Sequence, residues 1–172
     1  DPSGITTYTY NNSNRLTTEA KTIEGKNFNV FYSYSLAGAL TSITYPSDRI
    51  ISYEYDPIGR IVKVIEEKDG KRSEIIKDIA YLPSGAISSI TQGNNLVTTK
   101  TYDNRNQLNS LSIGNLKQLS YTRDNVGNIT SIIDNLDSSK TKTYQYDALY
   151  RLTQATMGTV PDLRAGAVES GL

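Results

Sequence analysis

The chain has 172 residues, enough for one ordinary domain, of which 37% are hydrophobic; thirteen are Tyr, two Phe and none Trp. Lys plus Arg and Asp plus Glu number 18 each, so net charge is zero, and both Cys and His are absent. This composition excludes disulfides, thiolate sites and Ser-His-Asp or Cys-His catalysis, and lacks the basic excess of a nucleic-acid binder. No apolar run approaches the roughly 18 residues of a membrane span.

Asp1-Pro2-Ser3-Gly4 carries turn chemistry without an initiator Met or a signal-peptide pattern, so the chain reads as a piece of a longer polypeptide that starts in mid-repeat. Ile5-Thr6-Thr7-Tyr8-Thr9-Tyr10 follows as a strand. From Tyr10 onward one short phrase recurs, anchored at Tyr10, Tyr34, Tyr55, Tyr81, Tyr102, Arg123 and Tyr146, with steps of 24, 21, 26, 21, 21 and 23 residues by subtraction. A unit this short cannot bury its own apolar face and must stack on its neighbours.

The copy at Ile51 to Glu74 shows the grammar best. Ile51-Ser52-Tyr53-Glu54-Tyr55 alternates as a strand with one buried face. Asp56-Pro57-Ile58-Gly59 is a turn, Arg60 to Ile65 a β-branched return strand, and Lys68-Asp69-Gly70-Lys71 a second hairpin tip. Second turns are also expected at Pro46-Ser47-Asp48, Gly93-Asn94-Asn95, Gly114-Asn115 and from Asp134 to Lys140. The first-turn glycine position holds Asn14, Gly38, Gly59, Gly85, Asn106, Gly127 and Tyr150. Gly and Asn tolerate left-handed backbone best, so Tyr150 predicts a distorted last turn. Two places on, every copy has Leu or Ile: Leu16, Leu40, Ile61, Ile87, Leu108, Ile129 and Leu152. These are expected to anchor the return strand inward.

The fold class expected is therefore all-β, an antiparallel β-hairpin array of about seven repeats forming a curved or spiralling sheet segment. One face is expected to carry small apolar residues and Tyr, the other Ser, Thr, Asn and Lys. The array spans residues 1–157. The tail 158–172 leaves the pattern; Leu163 to Glu169 has some helical composition, but its glycines point to a flexible end.

Tyr53-Glu54-Tyr55-Asp56-Pro57-Ile58-Gly59-Arg60-Ile61 resembles the YD-repeat, or Rhs-type, family, and Tyr144-Gln145-Tyr146-Asp147-Ala148-Leu149-Tyr150-Arg151-Leu152 nearly matches it. Tyr102-Asp103 keeps the first pair, but Asn106-Gln107 replaces Gly-Arg; Tyr34 and Tyr81 keep the Gly and lose the Asp. The resemblance runs from about Asp1 to Met157 and implies β-ribbons that spiral into a hollow shell. Bacterial Rhs proteins and insecticidal toxin complexes enclose a C-terminal toxic domain in this way, and teneurins use a similar barrel for adhesion. The paired Asp-Pro motif of the self-cleaving members is absent before the tail, so autoproteolysis is not carried over.

The recurring residues invite sharper readings. The tyrosines Tyr10, Tyr34, Tyr55 and Tyr81 suit sugar stacking, yet side-by-side packing along the ladder explains their period without a ligand. Asp56, Asp103, Asp124 and Asp147 invite calcium, but one carboxylate per repeat gives a ladder where calcium wants six to eight converging oxygens. An Asp at the head of a turn accepts from the backbone two residues on. Arg15, Arg60 and Arg151 follow the glycine position and face either a shell interior or the adjacent Asp. The anchor set is thus structural: Tyr10, Tyr34, Tyr55, Asp56, Gly59, Arg60, Tyr81, Gly85, Tyr102, Asp103, Asp124, Gly127, Tyr146, Asp147 and Arg151. No catalytic, metal or cofactor site is expected. The partners implied are neighbouring repeats of the parent chain and an enclosed toxin domain, in a secreted or cell-surface bacterial protein. An adhesion or glycan-binding module is the alternative, and open strand edges predict self-association of the isolated segment.

Overall fold

The computed structural model describes residues 4–158. The turn expected at Asp1-Pro2 and the tail beyond Gly158 lie outside the described residues. The rest is all-β, with one 3-10 turn at Ser138–Lys140. Fourteen strands follow sequence order in an antiparallel sheet. They are β1 (Ile5–Tyr10), β2 (Leu16–Ile23), β3 (Lys26–Tyr34), β4 (Leu40–Thr44), β5 (Ile50–Tyr55), β6 (Ile61–Lys68) and β7 (Lys71–Tyr81). Then come β8 (Ile87–Gln92), β9 (Val97–Tyr102), β10 (Leu108–Ile113), β11 (Lys117–Arg123), β12 (Ile129–Asp134), β13 (Lys142–Tyr146) and β14 (Leu152–Met157).

The chain divides into two compact units, one containing residues up to 82 with 89–96, the other 83–88 with the residues from 97 on. In the first, the register aligns Tyr32, Ile43, Ile51 and Glu66 across β3 to β6 on one face. The other face aligns Ser33, Ser42, Ser52, Ile65 and Glu74. Apolar residues and Tyr do favour one side, but Ile65 sits among the polar residues of the other. Ile51 and Ile65, on opposite faces, are the most deeply buried hydrophobic side chains among the described residues, at 7% and 5% exposure. The packing is that of a layer whose side chains cover one another along the sheet.

In the second unit, Leu111, Leu119 and Asp134 share one face, and Thr101, Ser110, Ser120 and Ile133 the other. The polar face is laced by hydroxyl pairs, Thr99 to Ser112 at 3.2 Å and Thr101 with Ser110 at 2.7 Å.

The second turns vary. Glu24-Gly25 and Asp69-Gly70 close two-residue hairpins with both φ angles positive (49° and 75°; 52° and 69°), which matches the right-handed twist of the strands. Glu24-Gly25 was not among the expected turns. Where a polar loop was expected from Asp134 to Lys140, the structure has the 3-10 turn, whose N-cap Asp137 accepts from the Ser139 amide. Gly93 is required by close approach: a Cβ there would lie 2.0 Å from the Glu74 carbonyl oxygen.

Candidate functional site: the clasped first turns

The first turns share one backbone geometry. The amide of the head residue donates to the carbonyl four residues on, and the amide of the glycine position donates back to the head carbonyl. Asp56 N to Arg60 O is 2.9 Å and Gly59 N to Asp56 O is 3.0 Å. Asn11, Ser35, Asp103, Asp124 and Asp147 head the same pair of bonds. All seven residues at the glycine position have φ between 56° and 102°. Tyr150 does too, at 60°, so the distortion expected of the last turn is not there: Asp147 N still reaches Arg151 O at 3.0 Å. Two backbone bonds and the Asp147 side chain hold a residue type that would otherwise avoid this conformation.

The head side chains cap these turns. Asp56 Oδ1 accepts from the amides of Ile58 (3.1 Å) and Arg60 (2.9 Å), and Asp103 Oδ1 from those of Arg105 (2.9 Å) and Gln107 (2.8 Å). Asp124 and Asp147 do the same, and Asn11 substitutes with its amide oxygen. The second oxygen of Asp56 takes Arg60 Nε at 2.7 Å, that of Asp147 takes Arg151 Nε at 2.7 Å, and that of Asp124 takes the Asn128 amide at 2.9 Å. These donors hold the carboxyls below the usual range: the Arg60 amide leads at Asp56 and the Arg151 amide at Asp147. At Asp124 burial pushes upward, but the Asn128, Gly127 and Val126 donors together outweigh it. Among the described residues no group of three or more His, Cys, Asp or Glu is placed to hold a metal ion.

The anchor tyrosines do something the spacing did not announce. Each hydroxyl donates to the carbonyl of the Leu or Ile that follows the preceding first turn. The bonds are Tyr34 to Leu16 (2.9 Å), Tyr55 to Leu40 (2.6 Å), Tyr81 to Ile61 (2.7 Å), Tyr102 to Ile87 (2.9 Å) and Tyr146 to Ile129 (2.9 Å). The cross-strand partners of Tyr34, Tyr55, Tyr102 and Tyr146 are Leu40, Ile61, Leu108 and Leu152, so these anchors do not pair with one another. Tyr10, opposite Leu16, is exposed and makes no such bond among the described residues. Each hydroxyl clasps one repeat to the one before it. Beside the anchor the register slips by one residue, giving a bulge at Thr17, Thr41, Val62, Asn109, Thr130 and Thr153. The prevalence of Thr just after the recurrent Leu or Ile is the one sequence signal that could have marked it.

Side chains of one turn also lie on the next. Arg60 stacks over the Tyr81 ring at 4.3 Å, and Arg15 over Tyr34 at 5.8 Å. A Cβ at Gly38 would meet the Arg15 guanidinium at 2.2 Å. Ser84 Oγ donates to Asn106 Oδ1 at 3.0 Å, and Arg105 Nη1 to the Asn125 carbonyl at 3.0 Å. The recurring carboxylates are thus occupied within their own turns, while the tyrosine hydroxyls and these turn side chains join repeat to repeat.

Residues 34–71 match the model of the RHS Repeat family, a stretch with two Tyr-anchored turns and the Asp69-Gly70 tip. No curated protein matches the chain. Solved structures similar to it include TcdB2-TccC3 without its hypervariable C-terminal region (TM-score 0.83) and TcdB2-TccC3-Cdc42 (TM-score 0.82). The Photorhabdus luminescens Tc holotoxin pore with a mutated TccC3 is similar at a TM-score of 0.80. Each is 20% identical over 91% of this chain, which spans only 9% of the matched chain. At that identity the likeness concerns the fold, and it coincides with the sequence match at the Tyr-Asp turns. Residues 34–71 thus carry the RHS Repeat sequence pattern, and the described chain shares the repetitive antiparallel β fold of these structures.

Proposed function

We propose that this chain is a stretch of wall in a large β-shell that encloses or carries a C-terminal toxin domain in a secreted bacterial protein. Residues 1–157 are the array and 158–172 a non-repeat tail. The anchors from Tyr10 to Arg151 named above hold the wall and take no part in catalysis. One observation carries the reading: the five tyrosine clasps direct the recurring hydroxyls at the backbone of the preceding repeat. Such a scheme propagates for as long as repeats are added. The similar structures, of TcdB2-TccC3 and of a Tc holotoxin pore, are assemblies of the toxin kind that this reading calls for.

Limited proteolysis of a longer polypeptide containing these repeats, with mass spectrometry of the protected pieces, tests it. A C-terminal domain that survives while exposed loops are cut supports the container. Digestion of everything beyond the repeats leaves nothing enclosed and turns the reading to adhesion or glycan binding.

A further inference from the structure

The anchor series has one exception, and a cleft opens beside it. Position 123 holds Arg where the other six anchors are Tyr, so among the described residues the Leu108 carbonyl, the counterpart of Leu16, Leu40, Ile61, Ile87 and Ile129, receives no tyrosine hydroxyl. The turn itself is intact, with Asp124 N to Asn128 O at 3.0 Å. Arg123 is half-buried, its guanidinium 5.8 Å from the centre of the Tyr121 ring, and it makes no ion pair among the described residues. Next to it lies a cleft of about 360 Å³ whose wall includes Arg105, Gln107, Asn109, Tyr121, Arg123 and Asn125.

This wall is rich in donors. Two guanidiniums, side-chain amides and a phenol face the space, and three of the four carboxylate oxygens that line it accept hydrogen bonds within their own turns. Asp103 and Asp124 also line it, but Asp103 Oδ1 is held by two amides of its own turn, and both Asp124 oxygens by the amides of Val126, Gly127 and Asn128 and the Asn128 side chain. Neither carboxylate pairs with Arg105 or Arg123. Arg105 donates to the Asn125 carbonyl, whereas the Arg123 guanidinium, without an ionic partner among the described residues, favours a planar, two-oxygen partner that it can meet in bidentate fashion. We propose that the Arg105–Arg123 cleft binds a carboxylate, and that Arg123 gives up the clasp of its repeat to do so. The carboxylate belongs either to a free small acid or to an acidic side chain of a peptide segment, and both present the same group to the cleft.

The test is to titrate the chain with glutarate and, separately, with an extended peptide of alternating Glu and Gly, following the amide resonances of Arg105, Gln107, Asn109 and Asn125. Saturable shifts confined to this pair of turns are expected. Glutarate binding as tightly as the peptide identifies a free small acid; binding of the peptide alone identifies an acidic segment. Arg123→Gln weakens binding by about tenfold or more through loss of the bidentate contact. Arg123→Tyr abolishes binding while raising the melting temperature, because it supplies the missing hydroxyl to Leu108. The proposal is overturned by three results: no saturable shift with either probe, undiminished binding to Arg123→Gln, or equal shifts from a neutral oligosaccharide such as maltohexaose.

Discussion

Among the described residues, the most deeply buried side chains of the first unit are Ile51 and Ile65, whereas in the second they are Ser131, Asp134 and Thr141. The second turns differ as well. Asp69-Gly70 closes β6 and β7 in two residues, so both strands run on, with Val64 opposite Ile76 on the face of Ile51 and Ile65 opposite Glu74 on the other. The connection from Asp134 to Thr141 is longer and must find acceptors for its own amides. Asp134 supplies them: Oδ1 accepts from Leu136 N (3.1 Å) and Asp137 N (3.3 Å), and Oδ2 from Lys117 Nζ (2.8 Å). Its own amide donates to Thr141 Oγ1 at 3.2 Å. A repeat of this kind can therefore exchange an apolar contact for a polar one, provided every buried group is satisfied.

Truncating the apolar side of the comparison has the largest expected effect. Ile65→Ala costs about 2–5 kcal/mol, measured by urea denaturation, as for other deeply buried Ile. Leu111→Ala, half-buried in the second unit, costs less; equal losses would break the comparison.

The polar side is tested by pH. The Lys117 ammonium holds the Asp134 carboxyl below its usual range, with further help from the Leu136 amide, and the Ser139 hydroxyl brings Asp137 down to about 2. Both folded values lie below the unfolded ones. Their contribution is complete above a pH of about 4 and is lost as pH falls through the depressed values. The melting temperature is therefore expected to be flat near neutrality and to fall in acid. Lys117→Ala lowers it at neutral pH by leaving a buried carboxylate without its cation, and the gap to wild type closes as the pH falls through the depressed Asp134 value. A gap independent of pH would show that Lys117 acts through packing.

Much of the array was legible because its turns are local. Gly59, Asn106 and Gly127 announce positive φ, Asp56 announces a capped turn, and Ile51 to Tyr55 alternates within the strand it forms. What stayed hidden is non-local. The target of the Tyr55 hydroxyl lies 15 residues away in sequence, on a carbonyl that carries no signature. Tyr150 misled because its own residue type opposes the conformation that Asp147 and two backbone bonds enforce. The 3-10 turn was missed although Asp137-Ser138-Ser139 spells an N-cap, because the expected hairpin tip needed nothing more than polar residues.

Smaller effects sharpen what the two units share. Tyr55→Phe in the first and Tyr146→Phe in the second keep the ring and lose one bond to a backbone carbonyl, each costing about 0.5–1.5 kcal/mol. Matching losses by thermal melting would mean that the clasp is common to both units while the buried chemistry differs. Tyr150→Gly relieves a left-handed non-glycine residue but adds unfolded-state freedom, for a net gain of roughly a few tenths of a kcal/mol.

Native-state amide hydrogen exchange on wild type and Tyr55→Phe tests the clasp most directly. If the hydroxyl couples successive repeats, protection falls in Leu40–Thr44 as well as around the Asp56–Arg60 turn, and stays unchanged in Ile5–Tyr10. Unchanged protection across Leu40–Thr44 would contradict the account.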